Sequence, residues 1–329
     1  MPARSKKVDG ASRVVLLTLT LLFGSTTGGA IFSAYADQPN DDEPIAKAIE
    51  KAEQLRRRGE SREAYRVLYS VSNGQTGRMA VALVNLRGSV LQDLGRLDEA
   101  EQHYRRALRM VEREFGRDDR ELVSPLNDLG GLLMARGRLS EAAQLRERSL
   151  ELRQRHYPET DPVVLRGLEN LAAVRLAQKQ YNEAGRLFED SRQGWENRKP
   201  GAPEAAIALN GLGVVALRKG QRVQAVTLLR DAISRWRSDD EPLLLAWIMG
   251  NLAAVLAPDD AVAQYSRAVT LVEKHGGAEH PMLAPLLDGQ ARCLRALHRK
   301  QEARELALRA SRIRKANPTG FTVDTAALQ

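Results

Sequence analysis

An alanine that follows a mostly polar or acidic pair recurs seven times along this chain, at Ala64, Ala100, Ala142, Ala184, Ala225, Ala261 and Ala303. The spacings are 36, 42, 42, 41, 36 and 42 residues. Self-similarity at a period of this length is the mark of an array of stacked supersecondary units. The surroundings recur with it. Seven residues after each alanine stands a small or short side chain: Val71, Ala107, Ser149, Ser191, Ala232, Ala268 and Ala310. Twelve residues before it stands Ala52, Gly88, Gly130, Ala172, Gly213 or Ala291, the sixth unit being the exception. Five before it, Gly59, Gly95, Gly137 and Gly220 sit where a glycine can end a helix in the left-handed conformation. Small residues at such offsets let two helices of a hairpin approach closely. The pattern therefore predicts a helix-turn-helix unit repeated seven times.

Composition agrees with helices. Aromatic residues make up 5% of the chain, and valine and isoleucine never gather into the period-two runs that a sheet requires. The expected class is all-α: a right-handed α-α superhelical solenoid of about seven repeats over residues 45–316. Acidic and basic residues are interspersed throughout, as on solvated helix faces carrying i,i+4 pairs. The formal charge of +8 falls to +5 once residues 1–36 are set aside, which is modest for 329 residues and gives no reason to expect a nucleic-acid partner.

Residues 1–36 read as an address. A basic stretch leads into the apolar run Val14–Phe23, and small residues follow to Ala34-Tyr35-Ala36 before Asp37. That order is the signature of a secretory signal peptide, and the run is shorter than the roughly 20 apolar residues needed to span a bilayer. The gap between Phe23 and Ala36 is long, and Ala30-Ile31-Phe32 is apolar again, so an uncleaved anchor over residues 14–32 is the alternative. The expected location is exported, periplasmic or secreted, with membrane attachment only if the segment is retained. Residues 37–44 read as a linker and residues 317–329 as an extended tail, because Pro318 and Gly320 stop the last helix.

Gly95-Arg96-Leu97-Asp98-Glu99-Ala100, followed by Tyr104 and Ala107-Leu108, resembles the tetratricopeptide repeat. The longer period and the segment Gly277-Ala278-Glu279-His280-Pro281-Met282-Leu283-Ala284 resemble the kinesin light chain-type subtype, with looser versions at Gly116–Asp119 and Tyr157–Pro162. The resemblance covers residues 45–315 and implies a protein- or peptide-binding scaffold without naming a partner. There are two departures. Arg175 stands where neighbouring repeats carry Leu91 and Leu133, and the sixth unit is about four residues short, running into Pro258, where a tighter turn is expected.

Catalytic patterns are missing from the sequence. The five histidines are scattered, no Cys-x-x-Cys exists, and neither a Gly-x-Ser-x-Gly elbow nor a glycine-rich phosphate loop occurs. No cofactor, metal or enzymatic activity is therefore expected. The single Cys293 lies in an apolar helical pattern and reads as a small packing residue. The remaining candidates are polar residues recurring on the first helix of each unit, the helix that lines the concave surface of stacked hairpins. Asn85, Asn127, Glu169, Asn210 and Asp288 stand fifteen residues before the marker alanine; Asp128 and Asn170 come one step later, and Asn251 matches Asn170 in the shortened unit. Asparagine is a mediocre helix former, so its recurrence asks for a reason. An amide offers both a donor and an acceptor, suited either to the backbone of an extended peptide or to a neighbouring repeat. Similar groove asparagines contact peptides in the family this chain resembles. Asn85, Asn127, Asn170, Asn210 and Asn251 are accordingly the candidate peptide-binding groove.

Overall fold

A computed structural model of the chain describes residues 43–71, 76–236 and 241–316. The expectations for residues 1–36, for most of the 37–44 linker and for the tail 317–329 lie outside the described residues. Within them there are fourteen α-helices, one short 3-10 turn at Arg120–Leu122 and no strand. None of these helices is long and apolar enough to cross a membrane.

The helices fall into two compact units, separated between residues 238 and 239. The first unit holds five hairpins. They are α1 (Glu43–Arg57) with α2 (Ser61–Tyr69), α3 (Arg78–Asp93) with α4 (Leu97–Glu114), and α5 (Val123–Ala135) with α6 (Leu139–His156). Next come α7 (Pro162–Ala177) with α8 (Tyr181–Arg198), and α9 (Ala205–Arg218) with α10 (Arg222–Arg235). The second unit holds two: α11 (Pro242–Ala253) with α12 (Pro258–Gly276), and α13 (Leu283–Ala296) with α14 (Lys300–Ala316). This is the expected all-α helical-repeat class, one hairpin per marker alanine.

Every hairpin closes on its marker alanine. All seven marker alanines are fully buried, with no exposed surface. In the second, third and fifth hairpins the small position of the first helix takes a side chain from the second helix, four residues past the marker. A Cβ on Gly88 would lie 2.7 Å from the Tyr104 ring, and one on Gly213 would lie 2.7 Å from Leu229. Gly130 likewise faces the stem of Arg146 at 3.0–3.2 Å. The first helix must be small there because the second helix projects its largest buried side chain at that level.

The turns follow from one backbone requirement. In six hairpins three residues link the helices, and the middle one is left-handed: Gly59, Gly95, Gly137 and Gly220, with Lys179 (φ 63°) and His298 (φ 61°) taking the same conformation in the fourth and seventh. The residue after it donates its amide back into the first helix, as Arg96 N to Leu91 O at 2.8 Å and Gln180 N to Arg175 O at 2.8 Å. These bonds satisfy carbonyls that the helix end would otherwise leave open.

The sixth hairpin differs, though not as expected. Its link of four residues, 254–257, contains no left-handed residue, and Pro258 serves as the first residue of α12. Proline suits that place because its missing N–H is one the helix start leaves unbonded anyway. The deletion is absorbed by shortening α11 to 12 residues rather than by tightening the turn.

Because Ala184 has no exposed surface at the α7–α8 contact, Ala184→Leu overpacks the hairpin and is expected to cost about 1–3 kcal/mol. A thermal melt at unchanged Tm would place Ala184 outside that contact.

Candidate functional site

The polar row on the first helices is held inside the stack. In the first unit the Asn85 side-chain amide of α3 donates to Asp128 Oδ2 of α5 at 2.7 Å, and Asn127 Nδ2 donates to Asp128 Oδ1 at 3.3 Å. From α7, Asn170 Nδ2 donates to Asn127 Oδ1 at 2.8 Å. The same oxygen accepts from Arg146 Nη1 of α6 at 2.6 Å. Three successive first helices are thereby stitched by side chains in a low-dielectric setting, where such bonds are strong and their loss is costly.

Asn85, Asn127 and Asn170 keep 8%, 7% and 6% of their surface exposed, whereas Asn210 on α9 keeps none. The second unit contains Asn251 on α11, also buried at 4%. The geometry thus gives the amides of Asn85, Asn127 and Asn170 the inter-repeat partners that sequence reasoning allowed as one of two roles. Asp288, the last member of the row, instead pairs with Arg314 of α14 in its own hairpin.

Charge is buried with the amides. Burial pushes the Asp128 carboxyl above its ordinary range, against the hydrogen bonds from Asn85 and Asn127 that favour its ionised form. Burial also brings the Arg146 and Arg153 guanidinium groups down to about 10. Arg153 donates to Val163 O at 2.6 Å and to Ser149 Oγ at 3.3 Å, with its stem against Gly167. On α7, Glu169 is 1% exposed and its Oε1 accepts from Ser191 Oγ at 2.8 Å and Trp195 Nε1 at 3.0 Å, both on α8. Loss of hydration outweighs those bonds and raises the carboxyl to about 7.

Among the side chains packed between α3 and α7, three buried atoms have no hydrogen-bond partner: Asn85 Oδ1, Arg146 Nε and Glu169 Oε2. Sequence reasoning missed Arg146 and Arg153, and the register could have found them. Four residues past the marker the other hairpins of the first unit carry Leu68, Tyr104, Phe188 and Leu229; eleven past it the chain carries Val111, Trp195 and Val272. An arginine among such side chains in the interior of the first unit is placed to be buried, whereas Arg314, eleven past the last marker, is only partly so.

Beside the row on α3, Ser89 is buried, and its hydroxyl lies 3.2 Å from that of Tyr104. Arg175, in its unusual place, donates to Glu183 at 3.0 Å and to Gln178 at 2.9 Å and pairs with Glu147 of the preceding hairpin. His280 Nδ1 accepts from Met282 N at 3.3 Å, just ahead of α13. Cys293 is half-buried, and burial raises its thiol pKa. No grouping of His, Cys, Asp and Glu suited to a metal ion occurs among the described residues.

Small-residue hairpins stacked in series, with first helices pairing across neighbours, define an all-α helical-repeat protein. A family profile described as tetratricopeptide repeat matches residues 78–155, 163–238 and 244–316, more than half of the chain, and the protein belongs to that family. Its fold is similar to that of RapI in the apo form, at 14% identity and a TM-score of 0.64, covering 84% of this chain and 99% of that one. A Rap conjugation gene regulator of plasmid pLS20, solved with the Phr* peptide, matches at 13% identity and TM-score 0.61, covering 86% of this chain and 78% of that one. A Podosopora anserina putative kinesin light chain with nearly identical TPR-like repeats matches at 19% identity and TM-score 0.52, covering 60% of this chain and 100% of that one. At these identities the likeness is one of fold. No curated protein matches the sequence.

The raised Glu169 carboxyl carries a pH signature. The folded state holds the proton more tightly than the unfolded chain, so the stability it confers is full below pH 4.5 and is lost as pH rises through about 7. Glu169→Gln is therefore expected to gain on the wild type by on the order of 1–3 kcal/mol across that window. Urea denaturation at several pH values reads this; parallel stability curves would mean that Glu169 stays ionised in the fold.

Proposed function

We propose that the protein is an exported, non-catalytic scaffold that holds a protein or peptide segment along the first helices of its repeats. The observation that carries this reading is the polar row itself. In the first unit it runs along successive first helices, where Asn85, Asn127 and Asn170 retain a little exposed surface after making their inter-repeat hydrogen bonds. An extended peptide offers the backbone N–H and C=O groups that side-chain amides of this kind can meet. The similarity in fold to a Rap protein solved with a peptide supports the same class of ligand. Asn210, fully enclosed, then supports the row from behind rather than touching the ligand. No catalytic constellation competes with this reading, and the modest net charge favours a polypeptide over nucleic acid.

Export rests on the order of basic, apolar and small residues over 1–36, and two experiments address the proposal. A partner recovered with the mature protein and identified by mass spectrometry is expected to bind Asn85→Ala about tenfold more weakly at unchanged helicity, the loss of roughly one charge-free hydrogen bond and its surroundings. Equal affinity, or a hydrogen-exchange footprint confined to the second helices, would reject the first-helix site. Mass spectrometry of the protein's N-terminus is expected to find Asp37. Retention of residues 14–32 in the membrane fraction would favour the alternative, a membrane-anchored structural component of an envelope assembly.

A further inference from the structure

In the first unit, one stripe of each second helix receives the next hairpin. It consists of the residues three before, one after and five after the marker alanine, which share a helix face at i, i+4 and i+8. On α6 these are Leu139, Ala143 and Glu147: Gln178 donates to Leu139 O at 3.3 Å and Arg175 pairs with Glu147. On α4 the stripe residue Glu101 pairs with Arg136 at 3.1 Å and with Arg138 at 2.9 Å, both from the next hairpin. On α8 a Cβ on Gly185 would lie 3.6 Å from Val215 of α9. The second unit repeats the arrangement, since Gln290 of α13 donates to Ser266 of α12 at 2.7 Å. In each case the incoming groups come from the second half of a first helix or the turn after it.

On α14 the stripe is Lys300, Arg304 and Leu308, and no described hairpin follows it. Together with Arg295 and Ala307 these residues line an open recess of about 540 Å³. Leu308 is 56% exposed, one of three large hydrophobic residues that the described chain leaves in solvent. Arg295, Lys300 and Arg304 have no ion-pair partner among the described residues, although Arg299, Arg309 and Arg314 around them pair with Glu302, Glu273 and Asp288. The face thus combines an apolar floor with three uncompensated positive charges, at the place where a helix sits in the preceding hairpins.

We propose that this end face of α13–α14 is a second docking surface, shaped for an acidic amphipathic helix of a protein partner seated as the first helix of a following repeat would be. A helix fits because helices fill this stripe elsewhere, with their ends anchored by ion pairs such as Glu101 with Arg136. Acidic character follows from the unpaired cations, and an apolar seam from Leu308 and Ala307. A second copy of this chain meeting face to face would set the three cations of each against those of the other, which like-charge repulsion opposes. The surface is independent of the first-helix row, so either reading can stand without the other.

The test uses the full chain and a labelled synthetic helix of about 18 residues, long enough to cover the stripe at ~1.5 Å per residue. Its apolar seam is leucine and alanine and its flanks are glutamate; a second version carries lysine at the flanks. Fluorescence anisotropy is expected to show saturable binding of the acidic peptide, weakened at least about tenfold by Lys300→Glu with Arg304→Glu and by Leu308→Asp. The lysine version should bind negligibly, and Asn85→Ala should leave the acidic peptide's affinity unchanged. All three substituted positions are exposed, and circular dichroism checks that the variants remain folded. Equal affinity for the charge-reversed chain would overturn the proposal, as would no saturation up to about 1 mM, which would leave the cations only a solvating role at the end of the stack. Binding that appears only when Phe321 and Val323 are replaced by alanine would also overturn it, by making residues 317–329 the occupant in cis.

Discussion

The close approach of two helices at a buried alanine is the contact on which the rest of this fold is built. At each marker the second helix presents a methyl group with no exposed surface, and in the second, third and fifth hairpins it sends a larger side chain, a few residues on, toward the small position of the first helix. Tyr104 over Gly88 and Leu229 over Gly213 show why neither partner can change size alone. Close packing of this kind fixes the rotation of each helix about its axis. That rotation in turn decides which residues of the first helix face the neighbouring hairpin, and so sets the whole polar row.

The repeat register was readable from residue spacing because the constraint is local: both halves of each contact lie within one hairpin, at fixed separations. The left-handed turns were readable where glycine occupies them, and the chain uses Lys179 and His298 in the same conformation, where a sequence reader sees only a missing glycine. The shortened sixth unit was visible, but its consequence was not. A proline that interrupts one helix is equally suited to begin the next, and only packing shows that α11 gives up the missing residues.

The polar row was legible as a recurrence, while the partners of its members were not. Asn85 meets Asp128 and Asn170 meets Asn127 across more than forty residues of chain, so each pairing depends on how hairpins stack. Arg146 and Arg153 were hidden for a different reason. Charged residues on helices normally face water, and their burial shows only when their columns are compared between repeats. Glu169 lies on the row yet turns its carboxylate toward α8, where Ser191 and Trp195 receive it. Neighbouring positions on one helix therefore serve stacking in one case and hairpin closure in the other.

The side-chain pairs between α3, α5 and α7 make these hairpins specific to their neighbours. An apolar stacking surface would accept any hairpin of similar shape, but Asn85 needs the carboxylate of Asp128, and Asn127 must accept from both Asn170 and Arg146. Taking the second hairpin away from the third would leave the buried Asp128 carboxylate without the Asn85 amide. The array is thus periodic in its backbone and aperiodic in its polar pairing, so the order of its units is written into their interiors and cannot be reshuffled without loss.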